Sequence, residues 1–133
     1  MYFFSAFNLY GVNMKKILLV DDDIVCLKGL KIYFDLANFP TVSATTVSEA
    51  YQLLDTEEIS LVCTDWDLSD DRTGLDILAY ARGRNIPTVF LTGHDEESYE
   101  ESAFDQGAVR YYIKGEFSYF KFRDDLIELA NKE

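Results

Sequence analysis

Four short, largely apolar runs in this 133-residue chain each end in a side chain able to do chemistry. Ile17-Leu18-Leu19-Val20 runs into Asp21 and Asp22. Ile59 to Thr64 ends at Asp65, Pro87 to Leu91 at Thr92, and Val109 to Ile113 at Lys114. If the runs are parallel strands of one sheet, these groups meet at one edge. Three carboxylates brought together repel and raise one another's pKa unless a cation neutralises them. With no His or Cys among them, a hard divalent ion with oxygen ligands fits the set, and Mg²⁺ fits best. A hydroxyl and an ammonium beside that ion suit a phosphoryl group: the metal and Lys114 balance its oxygens while Thr92 donates a hydrogen bond. Asp65 is then the candidate nucleophile, forming an aspartyl phosphate. Taken singly, each residue has a plainer reading, as a wet loop-end acid or a solvated lysine. The joint placement at four strand ends carries the argument.

The elements that must position these groups follow from periodicity. Residues 17–20 form a buried strand, and residues 23–37 carry Leu27, Leu30, Phe34 and Ala37 at helical spacing up to Asn38 and Pro40. Residues 41–44 make a second strand. Ser48 is the expected N-cap of a helix through about Leu54. Strand 59–64 leads through the polar loop 69–74 to a helix at about 75–83. Strand 87–91 precedes an acid-rich helix at 95–106, closed by Gly107. Strand 109–113 precedes an amphipathic helix from about Ser118 to Asn131, with Phe122, Leu126, Leu129 and Ala130 on one side. Strand and helix alternate five times. The predicted class is α/β, a (βα)5 doubly wound five-stranded parallel sheet of flavodoxin-like type, whose site lies outside the carboxyl ends of the strands.

Composition narrows the partners. The length suits one domain, as domains cluster at about 100–150 residues. Twelve basic and 24 acidic side chains leave a net charge of −12, which argues against nucleic acid or an anionic membrane as partner. Cys26 and Cys63 each sit in an apolar segment and read as buried free thiols, which points to a reducing, cytoplasmic compartment. No apolar run approaches the roughly 20 residues of a membrane helix. The acids of the fourth helix read as a solvated face or as a docking surface for a basic partner.

The chain resembles the receiver domain of two-component response regulators over about residues 14–131. The resemblance is carried by Ile17-Leu-Leu-Val-Asp-Asp-Asp23, Leu61-Val-Cys-Thr-Asp-Trp-Asp67, Gly74-Leu-Asp-Ile-Leu78, Phe90-Leu-Thr-Gly93 and Gly107-Ala-Val-Arg-Tyr-Tyr-Ile-Lys114. It implies that Asp65 accepts a phosphoryl group from a sensor histidine kinase, a phosphotransfer protein or a small phosphodonor. It implies that Asp22 and Asp65 ligate Mg²⁺ directly, that Asp21 acts through water, and that the backbone carbonyl of Asp67 completes the protein's share. It further implies that Thr92 moves toward the phosphoryl group and Tyr111 swings inward, remodelling the face of the fourth helix, fifth strand and fifth helix for a downstream protein target or output domain. Asp67 and His94 match positions that tune dephosphorylation. The implied role is that of a regulated acceptor, not an enzyme. Three departures stand out. Gly115 follows Lys114 where proline in a cis peptide is usual, so a trans bond is expected. Ser69 replaces a common proline. Gly74 lies nine residues after Asp65, which predicts a bulged loop.

Two other patterns compete. Strand 59–64 followed by Asp65-Trp66-Asp67 also resembles the first motif of haloacid-dehalogenase-type phosphatases. Those enzymes place further metal-binding acids on a strand beyond the lysine, whereas here Asp124 and Asp125 open a terminal helix. The altered loops also suit a receiver-like domain that binds partners without phosphorylation. The chain reads as a single-domain regulator or as one segment of a longer one. Residues 1–13 stand apart from the receiver domain at 14–133: they are an extension holding Tyr2, Phe3, Phe4, Phe7 and Tyr10. That aromatic head is expected to pack on an apolar surface, of its own domain or between the subunits of a homodimer.

Overall fold

A computed structural model describes residues 15–132. The aromatic head and the domain boundary at Met14 lie outside the described residues. Five strands, β1 (Lys16–Val20), β2 (Thr41–Ala44), β3 (Ile59–Thr64), β4 (Thr88–Thr92) and β5 (Arg110–Ile113), alternate with five helices. The helices are α1 (Ile24–Leu36), α2 (Val47–Thr56), α3 (Gly74–Arg82), α4 (Glu97–Asp105) and α5 (Tyr119–Ala130). All pairings are parallel, in the order β2-β1-β3-β4-β5. This is the doubly wound, flavodoxin-like sheet that the alternation predicts.

Side-chain alternation along the strands explains the two faces. Ile17, Leu19, Leu61, Cys63, Val89 and Leu91 meet Leu27, Leu30 and Phe34 of α1 and Phe122, Leu126 and Ala130 of α5. Leu18, Val20 and Val62, one residue out of phase, meet Val47, Ala50 and Leu54 of α2 and Ile77 and Ala81 of α3. Phe90 turns to the same side and packs with Trp66, Leu78 and Ala103 of α4. A continuous apolar run is what a strand buried on both faces requires.

Three element ends differ from the sequence expectation. The N-cap of α2 is Thr46, not Ser48. Its hydroxyl accepts from the Glu49 amide at 3.1 Å, while the Glu49 carboxylate reaches back to the Thr45 amide at 2.7 Å. The helix therefore starts two residues earlier and brings Val47 into the core, leaving Ser48 to accept from Arg72 at 2.8 Å. β1 begins at Lys16, whose buried stem carries its ammonium to Glu57 at 2.9 Å. α4 starts at Glu97 after Glu96, which makes no side-chain cap bond. By contrast α1 and α3 are capped by Asp23 and by a Thr73/Asp76 capping box. Register aligns the carboxyl ends: Val20 lies beside Ala44 and Thr64, Thr64 beside Phe90, and Thr92 beside Ile113.

Candidate functional site

That alignment brings the chemistry-bearing residues to one edge. The Asp21 amide donates to the Ala44 carbonyl (3.1 Å), the Asp65 amide to Val20 (3.0 Å), and the Lys114 amide to Thr92 (2.9 Å). Each residue beyond a strand end is thereby still clamped to the neighbouring strand. Order β2-β1-β3 puts the change of winding direction between β1 and β3, where a parallel sheet opens a crevice. Asp21 and Asp65 stand on its two sides.

The centre is a three-membered ion network. Lys114 Nζ donates to Asp21 Oδ2 at 2.8 Å and to Asp65 Oδ2 at 2.9 Å. Asp21 is buried, with its side chain 4% exposed, and that of Asp65 is 12% exposed. Burial pulls the Lys114 ammonium toward a lower pKa, but hydrogen bonds and charge from both carboxylates outweigh it and hold the pKa above the ordinary lysine value. The other carboxylate oxygens are engaged by main chain. Asp21 Oδ1 accepts from the Asp23 amide at 2.9 Å, and Asp65 Oδ1 from the Trp66 amide at 2.6 Å. The peptide bonds of the described residues, Lys114–Gly115 among them, are all trans, and Gly115 turns the chain away at φ +84°. Lys114 reaches both acids across that geometry.

The remaining sequence-predicted residues surround this centre unequally. Asp22 is exposed, and its Oδ2 accepts from the Ser69 hydroxyl at 3.3 Å, away from Lys114. Thr92 is buried; its Oγ1 lies 3.4 Å from the His94 amide nitrogen. Tyr111 is half-buried, stacks on Phe90, and donates its hydroxyl to the His94 carbonyl at 2.8 Å. Burial, then the charges of Glu100 and Glu96, push its phenol up to about 12. Asp67 Oδ2 lies 2.6 Å from His94 Nε2, so the loops after β3 and β4 are bridged. The Cys26 thiol, also beside Asp21, is pushed up to about 12, first by burial and then by the Asp21 charge, and burial also raises Cys63. Neither is a thiolate nucleophile near neutral pH.

The donor set bears on a metal. The carboxylates of Asp21, Asp22 and Asp65 and the Asp67 carbonyl are all hard oxygen donors, the chemistry that Mg²⁺ prefers. Among the described residues, no three His, Cys, Asp or Glu side chains form a ready-made cage. Mg²⁺ does not need one: it keeps several waters and is commonly held by one or two carboxylates together with phosphate oxygens. Asp124 and Asp125, the acid pair after Lys114 set against the phosphatase pattern, lie on α5 and pair with Arg123 and with Lys121 and Tyr112.

The packing of Gly74 and the placement of Tyr99 come from the tertiary structure. Gly74 is needed because a Cβ there would run into the Asp65 carbonyl and stand 2.8 Å from the Phe90 ring. The start of α3 thus backs directly onto the residue carrying the central acid, and Gly74 N donates to the Trp66 carbonyl at 2.8 Å. The longer loop between them is pinned by a one-residue antiparallel bridge, Asp67 to Thr73. Tyr99 lies flat on the His94 ring, with centroids 4.1 Å apart and planes 6° apart. Nothing in its spacing within an acidic helix announces that contact.

Comparison with known proteins bears on the family and the fold. A family model described as the response regulator receiver domain matches residues 17–118. The transcriptional regulatory protein BasR of Escherichia coli is 35% identical over 101 residues, covering 74% of this chain and 45% of that protein. The aerobic respiration control protein ArcA of the same species is 32% identical over 99 residues, covering 74% and 41%. The chain thus spans less than half the length of the curated relatives it matches. Among solved structures, the non-phosphorylated HemR receiver domain of Leptospira biflexa superposes with a TM-score of 0.77 at 26% identity, covering 90% of this chain and 96% of that one. A two-component response regulator from Clostridium difficile superposes with a TM-score of 0.81 at 20% identity, covering 90% and 98%, which speaks to the fold.

Proposed function

The chain belongs to the response regulator receiver family, and from that premise we propose that it is a phosphorylation-controlled switch with Asp65 as acceptor. The observation that carries the reading is the Lys114 ammonium held between Asp21 and Asp65 at the carboxyl ends of β1, β3 and β5. An Asp65 carboxylate oxygen forms a bond to phosphorus while the donor's P–N or P–O bond breaks, and the donor leaves with that electron pair. Lys114 and the Thr92 hydroxyl then face phosphoryl oxygens rather than carboxylate alone. Asp22, Asp65 and the Asp67 carbonyl would hold Mg²⁺, with Asp21 acting through water, and the ion would offset the charge of donor and acceptor. The donor is a sensor histidine kinase, a phosphotransfer protein or a small acyl phosphate, and the setting is cytoplasmic.

The switch reading rests on Tyr111 and Thr92. A phosphoryl group drawing the Thr92 hydroxyl toward Asp65 favours a packing in which Tyr111 leaves the His94 carbonyl and turns inward. The surface of α4, β5 and α5 then differs between the two states, and a downstream protein target or output domain reads the difference. Asp67 and His94, bridged across the site, set how readily water reaches the acyl phosphate.

The test is phosphorylation by acetyl phosphate with Mg²⁺, followed by mass spectrometry and base lability. The expected product is one base-labile phosphoryl group, absent in Asp65→Asn and in chelator. A label that persists in Asp65→Asn would sink the reading. A second reading, a receiver-like domain that acts without phosphorylation, draws on Gly115 after Lys114 and on the altered loop between Asp65 and Gly74. A beryllofluoride and Mg²⁺ titration followed by NMR separates the two: movement of Tyr111 and Thr92 resonances favours the switch, and an unchanged spectrum favours the binding module.

A further inference from the structure

The contacts of His94 extend past the site just described, to a residue on α4 that motif reading never reached. The imidazole is held from several directions, and its Nδ1 lies 3.7 Å from Glu96 Oε1 at the start of α4. Its Nε2 meets Asp67 Oδ2 at 2.6 Å, its face lies on Tyr99, and the edge of Trp66 stands against it at 6.3 Å between centroids. Trp66 also packs edge-on against Tyr99, with centroids 4.7 Å apart and planes 79° apart. The His94 main chain is fixed as well, since its carbonyl accepts from Tyr111. The imidazole is consequently only 26% exposed although it stands on a loop.

Tyr99 sits in the first turn of α4, and that helix is lightly anchored. Its N-cap residue Glu96 makes no side-chain cap bond, its first turn carries Glu97 and Glu100 without a basic partner on the helix, and only Ala103 is fully buried. An uncapped, acid-rich first turn has little intrinsic reason to stay in place beyond its tertiary contacts. Beside the Glu96 carboxylate, 3.7 Å from His94 Nδ1, it is the Tyr99 ring against His94 and Trp66 that ties this end of the helix down. The position of α4 and the closure of the Asp67–His94 bridge are therefore one mechanical unit.

We infer that Tyr99 is a positioning residue for the Asp65 site: its ring holds the His94 imidazole across to Asp67, so that displacement of the first turn of α4 opens the bridge and changes the lifetime of the phosphoryl group. The inference rests on the proposed role of Asp65 and assigns to α4 a path back to the site that runs through the Tyr99 ring and the His94 imidazole, whereas Tyr111 and Thr92 meet the His94 main chain.

The chain contains a single histidine, so His94 supplies one unambiguous pair of imidazole C–H resonances. In the wild-type chain the stacked Tyr99 ring shifts them upfield. In Tyr99→Leu they move to open-chain positions and the dephosphorylation rate changes several-fold, by the same factor and in the same direction as in His94→Ala. Tyr99→Phe, which keeps the ring and drops only the hydroxyl, restores both readouts. The Tyr99→Leu/His94→Ala double variant changes the rate no further than either single one, since both remove one unit. Tyr99→Met serves in place of Tyr99→Leu should the latter not fold. Resonances unmoved in Tyr99→Leu, or rate effects of the two single variants that multiply in the double one, would overturn the inference. Failure of Asp65 to take a phosphoryl group sinks the site reading instead, and the resonances still decide whether Tyr99 positions His94.

Discussion

Lys114 does two jobs that pull in opposite directions. It neutralises Asp21 and Asp65, which would otherwise repel in a low-dielectric pocket, and in the proposed switch it would also meet a phosphoryl oxygen. Removing it leaves the almost fully buried Asp21 without a counter-charge. Lys114→Ala is expected to lower stability by about 3 kcal/mol, the low end of the range for breaking a buried pair because Lys114 is partly exposed. Urea denaturation measures this, and a loss no larger than that of Lys31→Ala, whose pair with Asp35 is fully at the surface, would refute it. Tyr112 gives a pH signature. Burial, then the Asp125 carboxylate that its hydroxyl meets at 3.2 Å, push its phenol up to about 12 from the ordinary 10.0. Between those values the folded chain binds the proton more tightly than the unfolded one. Its contribution is fully present below about pH 10 and is lost as pH rises toward about 12. Stability measured across that window falls less steeply in Tyr112→Phe than in the wild-type chain; identical slopes would reject the assignment.

Four of the five helices start at a side-chain cap, and the strands owe their starts to neighbours. α2 illustrates the first. The Thr46 hydroxyl accepts from the Glu49 amide and the Glu49 carboxylate from the Thr45 amide, so Thr46→Ala is expected to cost about 1 kcal/mol and Ser48→Ala to stay within about 0.5 kcal/mol. Equal thermal midpoints for the two variants would return the cap to Ser48. Val47, Ala50 and Leu54 stand at helical spacing and are all buried. Ser48 and Thr46 are equally good cap residues by type, and what separates them is that only a start at Val47 turns that residue into the core. β1 shows the second case. Its first residue is a lysine, which sequence reasoning assigns to the outside, yet Lys16 is buried because Glu57 stands at the end of α2 to receive its ammonium.

The whole molecule separates its chemistry from its bulk. One edge of the sheet gathers the acids, the hydroxyl and the lysine, and the two faces carry almost purely apolar contacts with α1 and α5 on one side and α2, α3 and α4 on the other. In the proposed switch, the surface of α4, β5 and α5 is the one that would differ between the two states. The aromatic head of residues 1–13 lies outside the described residues, and the expectation that it joins subunits is open to direct measurement. If the head makes a homodimer, light scattering gives the dimer mass for the full chain and the monomer mass for a chain lacking residues 2–13. Equal masses would exclude the head as the joint.

The order of strands and helices, the two-faced burial of the sheet and the convergence of Asp21, Asp65, Thr92 and Lys114 on one edge were all legible in the sequence, because each follows from local periodicity plus the rule that parallel strands end together. Which carboxylates touch was not. Asp21 and Asp22 are neighbours of the same type, and only the close approach of β1, β3 and the turn after β5 decides that Lys114 takes Asp21 and Asp65 while Asp22 turns to Ser69. Nor was the Tyr99–His94–Asp67 arrangement, which joins three loops and helices by ring packing and a single 2.6 Å contact. Periodicity reports the face on which a residue lies. Contacts between residues far apart in the chain depend on distances of a few tenths of an ångström, and those are settled only when the elements pack.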